Sequence, residues 1–162
     1  MHEITIEKED MKFSSAHFTI FERTIERLHG HNYQVRLRLR ADRLQHGLLI
    51  DFGVLKHEVR RLCAELDEHV LLAGQHPDLQ IRSAGDSLEL QCRGKRWSLP
   101  AEDCRILPVA NISCECLAAY LCGSIAERLR QPLLAAGVHT LVVEVQESPG
   151  QSGTADLDLA AG

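Results

Sequence analysis

The run Leu28-His29-Gly30-His31-Asn32-Tyr33 carries two imidazoles two residues apart. In extended chain, side chains at i and i+2 project to the same side, so His29 and His31 can present their rings together. Gly30 removes the intervening side chain and relaxes the backbone. His17, in Ser14-Ser15-Ala16-His17-Phe18, lies twelve residues before His29. A hairpin between two such strands brings a third imidazole to the same spot. Three neutral histidines without a fourth protein ligand are the donor set of a catalytic zinc site with an open position, and zinc in such a site acidifies a bound hydroxyl or water. Taken alone, the same residues also suit a turn whose imidazoles bond to backbone. His2, His46, His57, His76 and His139 read as surface or loop residues.

The six cysteines, Cys63, Cys92, Cys104, Cys114, Cys116 and Cys122, contain no C-x-x-C pair. Cys63 and Cys122 sit among apolar residues at helical spacing, as small hydrophobes do in a reducing compartment. The N-terminal MHEITIEKED lacks the basic and apolar regions of a signal peptide. No apolar run approaches the ~18 residues that span a bilayer. These features predict a cytoplasmic protein without membrane contact. A net charge of −5 and a pI near 6.0 argue against a nucleic-acid partner. With 162 residues, 44% of them hydrophobic, the chain has the size and composition of one globular domain.

The elements that must position the histidines follow from periodicity. Ile4, Ile6, Phe13, Ser15 and His17 alternate, and so do Tyr33, Val35, Leu37 and Leu39 against Gln34, Arg36, Arg38 and Arg40. Such alternation marks half-buried antiparallel strands with the arginines on the wet face. Asp51 suits an N-cap, and Leu55, Val59, Leu62 and Leu66 form one helix face up to the break at Pro77. Residues 87–99 alternate about an Arg93-Gly94 turn and predict a hairpin. Ser113 suits a second N-cap, with Glu115 in the first turn. Leu117, Leu121, Ile125 and Leu129 line this helix, and Pro132 is expected just past its end. His139–Glu147 reads as a last strand. Residues 148–162, polar and glycine-rich, read as a flexible tail beyond a single domain over 1–147. The order predicts an α+β domain with helices on one face of an antiparallel sheet. Its exposed edges favour self-association.

Several segments taken together resemble the 6-pyruvoyl tetrahydropterin synthase family, which includes the bacterial 6-carboxytetrahydropterin synthases of queuosine biosynthesis. They are SSAHF, LHGHNY, Ile50-Asp51-Phe52-Gly53 with Leu55-Lys56, and Leu66-Asp67-Glu68-His69. Asn111-Ile112-Ser113-Cys114-Glu115 and Val143-Glu144-Val145-Gln146-Glu147 complete the set. The resemblance runs in order over residues 4–147, which makes it more specific than any one motif. It implies the tunnelling fold, a four-stranded antiparallel sheet with two helices on one face, here with an inserted hairpin around 87–99. It also implies trimers or hexamers with active sites between subunits. Zn2+ would sit on His17, His29 and His31, and Glu147 would anchor the pterin ring of a dihydropterin substrate.

Two departures from the family pattern bear on the chemistry. The family's catalytic cysteine lies four residues before the first histidine of H-G-H, where this chain has Ile25. Glu26 follows, and Glu-x-x-His-Gly-His resembles a subgroup in which glutamate replaces the cysteine. Enzymes of that subgroup cut the side chain to leave 6-hydroxymethyl-dihydropterin, a folate precursor. Glu26 would serve as base if its surroundings raise its pKa toward neutrality. The family's Leu-Asp-His relay is here Leu66-Asp67-Glu68-His69, so His69 is displaced by one residue, about 100° on a helix.

The resemblance therefore implies a zinc-dependent lyase acting on 7,8-dihydroneopterin or its triphosphate by retro-aldol cleavage. Glu26, Asp67 and His69 would be its catalytic residues. A second reading is 6-carboxytetrahydropterin or 6-pyruvoyl tetrahydropterin synthase activity with another base. Cys114 or Cys116 could supply it, because a helix N-terminus favours a thiolate. A third is a non-catalytic zinc- and pterin-binding protein. The role of residues 76–110 stays open.

Overall fold

A computed structural model describes residues 1–161. Its main sheet has six strands: β1 (His2–His17), β2 (His29–Ala41), β3 (His69–Ala73), β7 (Cys104–Leu107), β8 (Val138–Ser148) and β9 (Gln151–Asp158). They lie in the order β7-β3-β1-β2-β8-β9. The β1, β2, β8 and β9 strands form an antiparallel four, β9 arising from the segment expected to be a tail, while β3 and β7 extend the β1 edge by parallel pairing. The period-two pattern of β2 is realised fully: Tyr33, Val35, Leu37 and Leu39 are buried, and Gln34 and the arginines stay half-exposed. Arg36 pairs with Glu7 and Glu144, and Arg40 with Glu3.

Two helices, α1 (Phe52–Leu66) and α2 (Cys114–Ala135), cover the apolar face and share its core. Both predicted caps form. Asp51 accepts a bond from Gly53 N at 2.7 Å, and Ser113 Oγ accepts one from Cys116 N at 3.2 Å, each satisfying a free amide of the first turn. The α2 helix runs through Pro132 instead of ending before it. Proline deletes one backbone donor, and the last turn stays in place because Leu133 is fully buried. The Ala135 carbonyl also accepts a bond from the Gln45 amide.

The segment 148–162, expected as a flexible tail, instead forms a strand over Gln151–Asp158; Gly162 lies outside the described residues. Pro149-Gly150 turns the chain, with Gly150 at φ 84°, and Gln151–Asp158 pairs antiparallel with β8. Gly153, Ala155, Leu157 and Leu159 face inward in alternation with Thr154, Asp156 and Asp158. The inward residues at the start of this run are small because β9 presses on α2. A Cβ at Gly153 would lie 2.4 Å from Glu115 N.

The predicted hairpin is present as β5 (Ser87–Cys92) and β6 (Lys95–Pro100). A further strand, β4 (Leu79–Ala84), makes it a three-stranded sheet in the order β4-β5-β6. Leu79, Leu88, Leu90 and Cys92 bury its inner face in the common core. All six cysteines are free thiols, five of them buried. Among the described residues, no helix is long and apolar enough to cross a membrane.

Candidate metal centre and active site

Antiparallel pairing of β1 with β2 sets His17 opposite His29 and Ser15 opposite His31. His17 falls on the inward face and is 1% exposed. Its Nδ1 lies 2.8 Å from the Ile112 carbonyl. A carbonyl only accepts, so Nδ1 carries the proton and Nε2 keeps its lone pair. That Nε2 is buried and has no protein partner. Burial, the largest effect, together with the charges of His29 and His31, holds the His17 pKa below the ordinary 6.5. His29 repeats the arrangement, with Nδ1 2.6 Å from the Arg27 carbonyl. Its Nε2 stands 3.0 Å from Nε2 of His31. One ring nitrogen from each histidine lies within 4.8 Å of the others.

These residues fit a divalent cation. Two rings have their protons tied to backbone carbonyls, which leaves converging Nε2 lone pairs. A buried acceptor without a donor is costly, and a cation bound by all three nitrogens satisfies it. With three neutral nitrogen donors, such a centre keeps a coordination position open for substrate.

Glu26 lines the same cleft of about 640 Å³ as the three histidines. It sits on a loop that folds back on itself. Glu26 N donates to Thr19 O at 3.0 Å, Thr19 N donates to Glu26 Oε2 at 3.0 Å, and Ile20 bridges Ile25. Ile25, at the position of the family's cysteine, packs against the core. Burial pushes the Glu26 carboxyl up, but the Thr19 hydroxyl and amide, with His29 and His17, carry it below its ordinary value. The expected rise toward neutrality is therefore not met: its surroundings favour the ionised form.

Glu147, near the end of β8, lines the same cleft, its Oε2 3.8 Å from His31 Nε2. Cys114, which opens α2, also lines it, but its surroundings disfavour a thiolate. Burial first, then the Glu147 carboxylate, pushes its thiol up to about 12. A helix N-terminus stabilises a thiolate, but here desolvation and a neighbouring negative charge outweigh it.

Asp67 and His69 stand elsewhere in the chain. The Asp67 carboxylate accepts from Ser14 N at 2.7 Å, and His69 Nδ1 bonds the Asp67 carbonyl at 2.6 Å. Between them Glu68 takes φ 57° and donates its amide to Ser14 O. His69 thereby lines a second cleft of about 540 Å³, with Ser14, Ala16, Gly30 and Asn32. Of the residues beside Glu26 and His17, only His31 borders both clefts.

Two further residues build the site, and the sequence carried only an indirect sign of one. Asn111, in the quoted Asn-Ile-Ser-Cys-Glu segment, clamps Ile20 from both sides. Its Oδ1 accepts from Ile20 N at 3.1 Å, and its Nδ2 donates to Ile20 O at 2.8 Å. Thr19 has no motif around it, and only the fold reveals its grip on Glu26.

A tunnelling-fold sheet backed by two helices, with three imidazoles converging at the ends of its two central strands, defines a small α+β protein built around a histidine cluster able to hold a metal ion. The family model for 6-pyruvoyl tetrahydropterin synthase matches residues 5–157. The chain belongs to that family of pterin-processing enzymes. It is similar to the solved 6-pyruvoyl tetrahydropterin synthase of Plasmodium vivax, with 34% identity, 97% of this chain and 98% of that one covered, and a TM-score of 0.92. For the Plasmodium falciparum protein the identity is 30%, with the same coverage and a TM-score of 0.93. Two solved forms of the Plasmodium vivax enzyme replace a glutamate described as a catalytic residue, one by alanine and one by cysteine. A Methanocaldococcus jannaschii relative, 31% identical over 87% of this chain and 86% of its own, carries the name "putative 6-carboxy-5,6,7,8-tetrahydropterin synthase".

Proposed function

We propose that this chain is a zinc-dependent lyase that cuts the side chain of 7,8-dihydroneopterin, or of its triphosphate, to leave 6-hydroxymethyl-dihydropterin. The observation that carries this reading is the Glu26 carboxylate sharing one cleft with the histidines, while the half-buried Ile25 packs against the core and does not line that cleft. A similar enzyme whose catalytic residue is a glutamate supports it.

His17, His29 and His31 are the residues that would hold zinc, which when bound acidifies and orients a substrate hydroxyl. Glu147 accepts two parallel N–H bonds from the guanidine-like edge of the pterin ring, a charge-assisted pairing that fixes the ring. Glu26 takes the proton from the hydroxyl on the scissile bond's outer carbon, the one farther from the ring. As that bond breaks, its electron pair moves into the ring imine and the departing fragment becomes an aldehyde. Glu26 then returns the proton to the carbon left on the ring. Asp67 and His69 are assigned to proton movement in the cleft of a neighbouring subunit of a homo-oligomer, because within one chain neither lines the cleft that holds Glu26. The substrate is a freely diffusing small molecule, and the enzyme acts in the cytoplasm.

A second reading, 6-carboxytetrahydropterin synthase activity, is favoured by the name of the archaeal relative. One experiment separates the two. The purified protein is assayed for zinc and incubated with 7,8-dihydroneopterin and its triphosphate, and products are followed by mass spectrometry. A 6-hydroxymethyl product that Glu26→Ala abolishes is the expected result. A 6-carboxy product that survives Glu26→Ala establishes the second reading. Zinc and pterin bound without turnover would leave a binding protein and remove both.

A further inference from the structure

The β4–β6 sheet lies outside the main sheet, yet the turn between β5 and β6 reaches the loop that carries Glu26. Cys92 pairs with Lys95, so Arg93 and Gly94 form a two-residue turn, with φ 45° and 86°. Both angles are positive, as in the hairpin turns that favour Asn-Gly. Arginine at the first position is out of place, because an L side chain is strained in the left-handed region. Its guanidinium is what the position uses. Arg93 Nη1 donates to Phe21 O at 2.5 Å and to Glu22 O at 2.9 Å, while Nε bonds Asp78 at 2.6 Å. Lys95 Nζ donates to Ile25 O at 2.9 Å.

The last contact bears directly on the base. Ile25 O and Glu26 N–H belong to one peptide group. Lys95 holds its carbonyl and Thr19 O receives its amide. The peptide that sets the direction of the Glu26 side chain is thus held from both sides. On the same edge, Trp97 stacks on Phe18 at 4.6 Å and 6°, next to His17.

We propose that the β4–β6 sheet is a positioning device, in which Arg93 and Lys95 hold the Glu26 loop in register with the three histidines. The proposal rests on Glu26 being the base. A displacement of about 1 Å in a reacting group costs up to about 100-fold in rate, and without Arg93 and Lys95 the Phe21–Ile25 stretch, beyond the Asn111 clamp on Ile20, loses its side-chain hydrogen bonds to the rest of the fold.

Three variants of the full chain test it. Arg93→Asn suits the turn better than arginine and removes the guanidinium. Lys95→Met keeps the stem and removes the donor, and Lys95→Arg retains a donor. Combined, Arg93→Asn and Lys95→Met are expected to lower kcat for 7,8-dihydroneopterin about 10–100-fold, with KM and zinc content unchanged. The thermal midpoint should not fall, and exchange of the Glu26 amide hydrogen should become faster. Lys95→Arg should recover most of kcat. Unchanged amide exchange overturns the proposal, and so does unchanged kcat where Glu26→Gln has abolished turnover. A loss of kcat matched by losses of zinc and thermal midpoint overturns it as well, since that is only damage to the fold. Full turnover in Glu26→Gln instead defeats the base assignment, and faster exchange in the double variant then still supports the loop-holding contact.

Discussion

The Nε2 atoms of His29 and His31 stand 3.0 Å apart, and the Nδ1 of His29 is committed to the Arg27 carbonyl. With that proton placed, the two Nε2 atoms meet either across a single proton from His31 or across a shared cation. Together with the orphaned Nε2 of His17, this pair makes metal occupancy the first quantity to measure.

His29→Ala is expected to lose bound zinc, read by elemental analysis, while leaving the thermal midpoint nearly unchanged, because the ring is only partly buried. His17→Ala should lose zinc and also cost about 1–3 kcal/mol, since the 2.8 Å bond inside the core is lost and the Ile112 carbonyl keeps only the longer 3.4 Å bond from the Thr19 hydroxyl. Full zinc occupancy in both variants would place the metal elsewhere.

Cys114→Ala should retain turnover within about twofold, because a thiol pushed up to about 12 is a poor base at neutral pH. Alkylation at pH 8 should likewise leave Cys114 largely unmodified, as followed by mass spectrometry. A loss of activity in this variant with zinc retained would restore the cysteine as base.

The buried thiols set an alkaline limit on stability. Burial raises Cys63 from the ordinary 9.0 to about 12 and Cys122 to about 11. Cys122 also donates to the Leu141 carbonyl. Above pH 9 the unfolded chain releases these protons and the folded chain keeps them, so the contribution is complete below pH 9 and is lost as pH rises. Each thiol lowers stability by up to about 1.4 kcal/mol per pH unit in that window. Denaturant midpoints between pH 8 and 11 should fall less steeply in a variant with both cysteines replaced by alanine.

Gly153→Ala tests the terminal strand. The new Cβ would meet Glu115 N at 2.4 Å and the Cys114 carbonyl carbon at 2.5 Å. Backbone at the start of α2 cannot retreat, so overpacking should cost about 1–3 kcal/mol, read from urea unfolding. An unchanged midpoint would mean that β9 is not held against the helix.

The histidine cluster was legible before the fold because its logic is local. A two-residue repeat puts His29 and His31 on one side of a strand, and a single hairpin brings in His17. Strands with clean alternation and helices with oxygen-bearing caps were readable for the same reason. Short or small-residue strands were not. The four-residue β7 and the five-residue β3 are too brief to show a period. The Gly-Ala-Leu-Leu alternation of β9 was masked by glycine and aspartate, residues that more often mark turns.

The sequence by itself determined the donor set, the family motifs and the exchange of cysteine for Ile25 and Glu26, since each is a matter of residue type and spacing. Only the tertiary structure decided which groups carry charge and which meet. Burial and Glu147 push the Cys114 thiol up, while Thr19 and the neighbouring histidines carry the Glu26 carboxyl down. A left-handed Glu68 turns His69 into a different cleft, and Lys95 reaches seventy residues back to hold the peptide before Glu26. Protonation and alignment depend on neighbours distant in sequence, and those neighbours are set by how the layers pack.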